Sequence, residues 1–255
     1  MLEIEIDRKR YADRGGYPHL ALSGLNLQVG DGEFVCVVGP SGCGKSTLLN
    51  VVGGLDRDVD GRVRLDGDAP VDGVGFMFQE PRLMPWLTVL DNVLLVAGRS
   101  DAAKARAVDL LAAMELGDVL QAYPGRLSGG MQRRVALARA FVIEPKLLLM
   151  DEPFVSLDAP TANRLRAMLV ALWQRRRSTV LFVTHDLREA LALGDRICFL
   201  SGAPGRVVLD FPVTLPRPRD EAAVLALQAG LLAQHPALLA GLTARGEGTP
   251  GRDDG

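Results

Sequence analysis

The chain has 255 residues, of which 48% are hydrophobic and 24% are charged, which is typical of a globular protein of one or two domains. This composition excludes intrinsic disorder as the main state. The net charge of −2 argues against a protein that coats nucleic acid. No apolar run reaches about 18 residues, so we expect no membrane-spanning helix.

The beginning of the chain and its cysteines favour a reducing, cytosolic setting. Residues 1–7, MLEIEID, lack the basic and apolar regions of a signal peptide. The three cysteines form no CxxC pair, and each lies in or beside an apolar run, so we interpret them as small core residues: Cys36, Cys43 and Cys198.

The pattern of apolar residues predicts strands that alternate with helices. Alternating patterns predict strands at 2–6 and 20–29, and continuous apolar runs predict buried strands at 34–38, 147–150, 179–183 and 197–200. Helices are predicted at 101–116, capped by Asp101, and at 128–141, capped by Ser128. This order is typical of an α/β fold with a mainly parallel sheet.

A glycine-rich loop follows the strand at 34–38. Residues 39–47 read GPSGCGKST and fit G-x-x-x-x-G-K-[ST] between a strand and a helix. Backbone amides of such a loop surround phosphate oxygens, a lysine reaches the terminal phosphates, and a hydroxyl can bind Mg²⁺. We interpret Cys43 as a small neutral side chain rather than a catalytic thiol. The predicted nucleotide-binding residues are Gly39, Pro40, Ser41, Gly42, Cys43, Gly44, Lys45, Ser46 and Thr47.

Two acidic residues follow the apolar run at 147–150. Asp151 and Glu152 stand where this buried strand ends, and ligands bind at the carboxyl edge of parallel sheets. Asp151 is a candidate for holding Mg²⁺ directly or through water. Glu152, expected to point the other way in an extended chain, is a candidate general base.

A second helix start offers another anion site. In LSGGMQRR, Ser128, Gly129 and Gly130 open a helix whose first amides and dipole face outward. One nucleotide needs one cradle, so this second one implies either a second ligand or a nucleotide shared with another copy of the chain.

These motifs together resemble the ATP-binding-cassette (ABC) ATPases. The resemblance rests on GPSGCGKST, Gln79, LSGGMQRR, LLLMDEP, SLD and THD in that order, and it covers about residues 2–240. It implies a P-loop NTPase core with a mainly parallel sheet, an N-terminal antiparallel β-subdomain and an inserted helical subdomain at about 86–140. We expect one domain over 2–243 and a disordered tail over 244–255.

The resemblance assigns further roles. Gln79 corresponds to the residue that contacts Mg²⁺ and the attacking water, Asp158 to a contact with the opposite subunit, and His185 to a contact with the γ-phosphate. Independently, His185 ends the run at 179–183 and therefore lies at the same sheet edge as Asp151. The aromatic residue expected to stack on adenine is Tyr11, with Tyr17 as the alternative.

The resemblance further implies an importer ATPase that uses ATP and Mg²⁺. The chain has no long insertion between Gln79 and Ser128, no tandem copy and no fused membrane helices. Residues 201–220 resemble the nitrate, sulfonate and taurine importer cassettes. The implied partners are membrane permease subunits, docked near residues 80–93, a second cassette, and indirectly a substrate-binding protein, but no nucleic acid. The expected location is peripheral, on the cytoplasmic face of the inner membrane.

Two alternatives stay open at this point. One is an exporter or lipid-handling cassette, and the other is a soluble ABC regulator of nucleic acid or ribosomes. The segment at 221–242 is apolar enough for a helix that packs on the core, with a partner surface as its other interpretation.

Overall fold

The computed structural model describes residues 1–12, 18–67 and 73–241. The predictions for Tyr17 and for the 244–255 tail lie outside these ranges. In the described ranges the strands are β1 (Leu2–Ala12), β2 (Pro18–Val29), β3 (Phe34–Val38), β4 (Asp60–Leu65), β5 (Val74–Met77), β6 (Leu147–Asp151), β7 (Thr179–Thr184), β8 (Arg196–Leu200) and β9 (Val207–Pro212). The helices are α1 (Lys45–Val52), α2 (Val89–Ala97), α3 (Asp101–Ala113), α4 (Gly129–Phe141), α5 (Ala159–Arg176), α6 (Leu187–Leu193) and α7 (Glu221–Gln234).

The central sheet has the order β5-β6-β7-β3-β8-β9 and is parallel except for β9, as the apolar runs predicted. Every residue of β3 and β7 is buried, because α4, α5 and α6 contribute to the core on one face of the sheet, and α1 and the small antiparallel sheet to the core on the other. Val38 of β3 lies opposite Thr184 of β7, and Asp151 of β6 lies opposite Val183. The three strands therefore end at one edge, where the predicted phosphate loop, the acidic pair and His185 follow.

A smaller antiparallel sheet has the order β2-β1-β4. Leu2, Ile4 and Ile6 are buried on one face of β1, in line with the predicted alternation. β1 runs beyond the predicted 2–6 because its pairing with β2 continues, and Tyr11 lies opposite His19.

Along the chain, the helices α2, α3 and α4 come after β5 and before β6, and they pack on one another. α4 begins as predicted, since the Ser128 side chain accepts a hydrogen bond from the amide of Met131. The predicted cap of α3 is wrong. Ser100, rather than Asp101, accepts from the amide of Ala103, and Asp101 is already helical, as an acidic first-turn residue that complements the helix dipole.

The C-terminal helix packs on the core, in agreement with the first interpretation of 221–242. Val224 and Leu231 of α7 are buried in the main hydrophobic cluster. The helix ends at Gln234, earlier than predicted, and Leu238 in the following 3-10 turn continues the contact.

Candidate ATP-binding and hydrolytic site

The loop between β3 and α1 is a cradle made of backbone. Gly44 caps α1 with φ 99° and supplies no side-chain hydrogen bond, so the first amides of the helix stay available to an anion. A Cβ at Gly44 would lie 2.6 Å from Leu22 Cδ2 and 2.8 Å from the carbonyl oxygen of Ala21. A Cβ at Gly205 would lie 2.1 Å from the carbonyl oxygen of Cys43. The loop therefore rests directly on the backbone of two other segments.

Lys45 lies across the mouth of this cradle. Its side chain is buried, and its Nζ donates to the carbonyl oxygens of Gly39 at 2.8 Å and Pro40 at 3.0 Å. The same Nζ is 3.9 Å from Glu152 Oε1. Cys43 is buried, and burial raises the pKa of its thiol, which agrees with a small neutral side chain.

Ser46 and Asp151 stand side by side at the end of the loop. Burial raises the pKa of Asp151, while a hydrogen bond from Ser46 works in the opposite direction. Both residues line a cavity of about 540 Å³ together with Asn50 and Gln79. A hydroxyl, a carboxylate and an amide are the oxygen donors that suit Mg²⁺ beside a nucleotide. The predicted metal residues thus lie together.

Glu152 does not continue the extended chain, which corrects the prediction. Its φ is +43°, in the left-handed region, and its amide donates to the carbonyl oxygen of Val183 at 2.9 Å. This turn brings its Oε2 to 2.8 Å from His185 Nδ1. A carboxylate paired with an imidazole at the sheet edge can accept the proton of a water molecule.

Tyr11 lies at the side of α1. It is 38% exposed, its hydroxyl donates to Asp56 Oδ2 at 3.0 Å, and Lys9 Nζ lies 4.6 Å from the centre of its ring. Burial raises the pKa of Tyr11, and a hydrogen bond with Thr47 of the phosphate loop partly opposes that rise. The ring is thus held next to the loop, and its stacking on adenine remains a prediction.

The segment Ser128–Gly130 forms a separate, open site. A Cβ at Gly129 would meet no atom within 4 Å, whereas one at Gly130 would lie 2.7 Å from Thr161 Cγ2. A cavity of about 350 Å³ joins this segment to Asp158. Asp158 caps α5 by accepting from the amide of Thr161, which lowers the pKa of its carboxyl group. The residues that line this cavity include none of 39–47, all of which the structure describes.

Two arginines of α4 tie the segment after β5 in place, and sequence reasoning missed both. Arg133 donates to the carbonyl oxygen of Gln79 at 2.9 Å, and Arg139 to those of Pro81 and Arg82 at 2.7 and 2.8 Å. The one signal in the sequence is a charged residue among the buried positions of a helix.

Asn92 in α2 was also missed. It is fully buried, it accepts from the amide of Met84, and its amide group donates to the carbonyl oxygens of Met84, Leu87 and Thr88. These bonds fix the loop that carries Trp86.

Within the three described ranges, no helix is both long and apolar enough to cross a bilayer.

The P-loop cradle, the acidic pair, the histidine and the second helix start define an ATP-binding cassette. The family model described as "ABC transporter" matches residues 22–155, more than half of the chain. The chain belongs to this family, and it is the ATP-hydrolysing subunit of a transport system.

Proteins with a described role and solved structures are similar to this chain over most of its length. The chain is 48% identical over 223 residues to "Aliphatic sulfonates import ATP-binding protein SsuB 2" of Burkholderia lata, covering 86% of this chain and 80% of the relative. It is 43% identical over 223 residues to "Aliphatic sulfonates import ATP-binding protein SsuB" of Bacillus licheniformis, covering 86% of this chain and 87% of the relative. Among solved structures, the dimeric bacterial ABC transporter cassette MJ0796 superposes with a TM-score of 0.73 at 35% identity, covering 84% and 99%. A second structure of that cassette is described as a post-hydrolysis state with ADP and Pi.

Proposed function

We propose that the chain powers an importer for aliphatic sulfonates. The observation that carries this proposal is the 48% identity, over 86% of the chain, to a protein described as an aliphatic sulfonate import ATP-binding protein. Nitrate and taurine, the other small anions considered from the sequence, are competing cargoes. The cassette itself holds ATP, so the cargo is bound elsewhere in the importer.

The geometry supports hydrolysis with Glu152 as the general base. Its carboxylate lies between Lys45 Nζ, 3.9 Å from Oε1, and His185 Nδ1, 2.8 Å from Oε2, and these two contacts orient it at the sheet edge beside the phosphate loop. Lys45 would move from its loop carbonyls to the terminal phosphates, and His185 would contact the γ-phosphate. Catalysis would depend mainly on positioning of the attacking water and on electrostatic stabilisation of the transition state.

We place Mg²⁺ on Ser46 and Asp151, with Gln79 at the wall of the same cavity. When bound, the ion would neutralise charge on the phosphates. Among the described residues no group of three or more His, Cys, Asp or Glu side chains is arranged so that it could hold a metal ion. Tight metal binding would therefore depend on oxygens of the nucleotide.

The open segment Ser128–Gly130 supports a head-to-tail pair of cassettes. In such a pair this segment of one chain would cover the nucleotide held by the phosphate loop of the other, and Asp158 would lie at the contact. A two-fold interface of this kind lets one chain supply both halves. The dimer of the solved MJ0796 cassette supports this arrangement.

The surface around Trp86 is our proposed docking site for the permease. Trp86 is 72% exposed, and Leu95 and Val96 of α2 are exposed as well. Exposed aromatic and aliphatic side chains before the start of α2 and in its last turn suit an apolar segment of a partner. Docking there would hold the cassette on the cytoplasmic face of the inner membrane as a peripheral subunit.

A pull-down from gently solubilised membranes tests the transport role. The tagged Glu152→Gln chain, kept in ATP, should recover a polytopic permease, identified by mass spectrometry. Trp86→Ala should reduce this recovery about tenfold or more, as expected for an interface hot spot. Leu239→Ala, an exposed apolar residue of the C-terminal turn, is the control. Recovery of ribosomal or DNA-bound proteins instead would overturn the proposal.

Cargo is tested in cells that lack the chain. They should lose growth on an alkanesulfonate as sole sulfur source and regain it with the wild-type chain but not with Glu152→Gln. Normal growth of the deletion strain on alkanesulfonate, with a defect on taurine or nitrate, would reassign the cargo.

A further inference from the structure

Arg133 is a buried cation in the second turn of α4 that contacts two separate segments. Its Nη1 donates to the carbonyl oxygens of Gln79 at 2.9 Å and Pro153 at 2.7 Å, and its Nη2 donates to that of Val155 at 2.7 Å. Gln79 follows β5, and the other two carbonyls follow β6. One guanidinium therefore joins the chain on both sides of the cavity that holds the predicted metal residues.

The charge of Arg133 is balanced by carbonyl dipoles alone. Among the described residues no carboxylate lies within ion-pair distance of it, and its side chain is only 9% exposed. Burial lowers the pKa of the guanidinium, with no opposing carboxylate. A buried cation is costly, and its retention at this place needs a compensating role or a complete set of acceptors.

The two segments are those that orient the hydrolytic groups. Pro153 directly follows Glu152, and Val155 lies two positions further on. The φ of Glu152 is +43°, an unfavourable conformation for a residue with a Cβ. Ser156, next along the chain, has φ +61°. The bonds from Arg133 hold this turn in the form that directs Glu152 to His185.

We propose that Arg133 is a positioning residue for ATP hydrolysis that fixes Glu152 and Gln79 relative to each other across the attack site. It acts through the backbone of both segments, since the three bonds that its guanidinium donates go to carbonyl oxygens. Lysine cannot replace it fully, because one ammonium does not reproduce a planar fork that spans three carbonyls. The role rests on the proposed function of Glu152 as general base.

Steady-state kinetics of the full chain test the proposal. Arg133→Met should lower kcat at least about tenfold while leaving the Kd for ATP within about twofold, since only groups at the reaction step are displaced. The kcat of Arg133→Lys should lie between the kcat of Arg133→Met and that of the wild-type chain. Arg106→Met is the control, because the Arg106 guanidinium lies on α3, is 47% exposed and pairs with Glu144 at 4.0 Å instead. A kcat for Arg133→Met equal to that of the control, or a loss entirely in ATP affinity, would overturn the proposal.

Mixed dimers separate positioning of Glu152 from a general effect on α4. One chain carries Ser128→Arg, so the intact site uses Glu152 of that chain and Ser128 of the second copy. Arg133→Met added to the Ser128→Arg chain should lower turnover, whereas added to the second copy it should leave turnover within about twofold. The reverse pattern would show that Arg133 acts through the Ser128–Gly130 segment, and would overturn the proposal. Light scattering of the Glu152→Gln chain with ATP measures dimer formation separately. A result against the shared nucleotide site is thereby distinguished from a result against the positioning role of Arg133.

Discussion

The phosphate loop and the segment Ser128–Gly130 use the same physical device in opposite ways. Both present the amides of a helix start, and both rely on small residues. The phosphate loop is packed against the rest of the chain, with Cys43 and Lys45 buried and Gly44 in contact with β2. Ser128 and Gly129 are exposed, and nothing lies within 4 Å of a Cβ built at Gly129.

The difference shows how one chain can carry a complete cradle and an incomplete one. The phosphate loop has its cation, its hydroxyls and its acidic neighbours within the same sheet edge. The second segment has amides and a cap, and the charged side chains that line its cavity are Arg134, Arg164 and Asp158 rather than a lysine and an acidic pair. Binding should therefore depend on the first region, and turnover on both.

Loss of the lysine should have the largest effect on ATP affinity, and it should act on the phosphate loop alone. Lys45→Ala removes the one ammonium of residues 39–47, and we expect ATP affinity to fall more than about 100-fold as charge-assisted contacts to the phosphates are lost. Titration with a fluorescent ATP analogue measures this. Lys146→Ala, at an exposed position before β6, is the control, and unchanged affinity in Lys45→Ala would contradict the assignment.

Glu152→Gln should separate binding from chemistry. The amide keeps the shape of the side chain but cannot accept the proton of water, so we expect hydrolysis to fall by a factor on the order of 10³ with ATP affinity preserved. Because ATP then persists, the chain should accumulate as a dimer, seen by light scattering. A monomer at saturating Mg-ATP would count against the shared site.

Ser128→Arg should break the exposed region and spare the buried one. A long cation in the open segment blocks its approach to the second nucleotide, so we expect turnover to fall about 100-fold, as for displaced reacting groups, with ATP affinity unchanged. Gly230→Arg is the control, because it places the same side chain at an exposed position of α7 where a Cβ would meet no atom within 4 Å. Equal loss of binding in Ser128→Arg would show that the two regions are not independent.

The smallest expected effect is on stability and concerns Asp151. Burial raises the pKa of this carboxyl, so the native state disfavours its ionised form, and the cost is present at neutral pH and vanishes below its ordinary pKa of about 4. Asp151→Asn should raise Tm by roughly a few degrees at pH 7 and by less as the pH approaches 4, while Mg²⁺-dependent hydrolysis is lost. A lower Tm at pH 7 would mean that the bond from Ser46 outweighs burial.

Local motifs predicted the phosphate loop and the buried strands, because a strand, a glycine turn and a helix start are encoded by adjacent residues. The cap of α3 could not be assigned, since Ser100 and Asp101 are both good caps and only the geometry separates them. The turn at Glu152 was not predicted because contacts from distant residues stabilise a φ that the local sequence disfavours.

Arg133 and Asn92 were missed for a related reason. Their partners are main-chain carbonyls of other segments. Every residue has such a carbonyl, so the sequence does not indicate which ones accept these bonds. A charged or amide side chain at a buried helical position is the pattern that would point to such residues.

The backbone support of the phosphate loop has a spectroscopic consequence. The amide of Gly205 donates to the carbonyl oxygen of Ala21 at 2.9 Å, and the carbonyl oxygen of Gly205 accepts from the amide of Ser23 at 3.1 Å. No side chain stands between Gly205 and Cys43 to absorb a small displacement. The ¹⁵N resonance of Gly205 should therefore shift as the loop fills, which provides a reporter of occupancy in a residue that carries no part of the reaction.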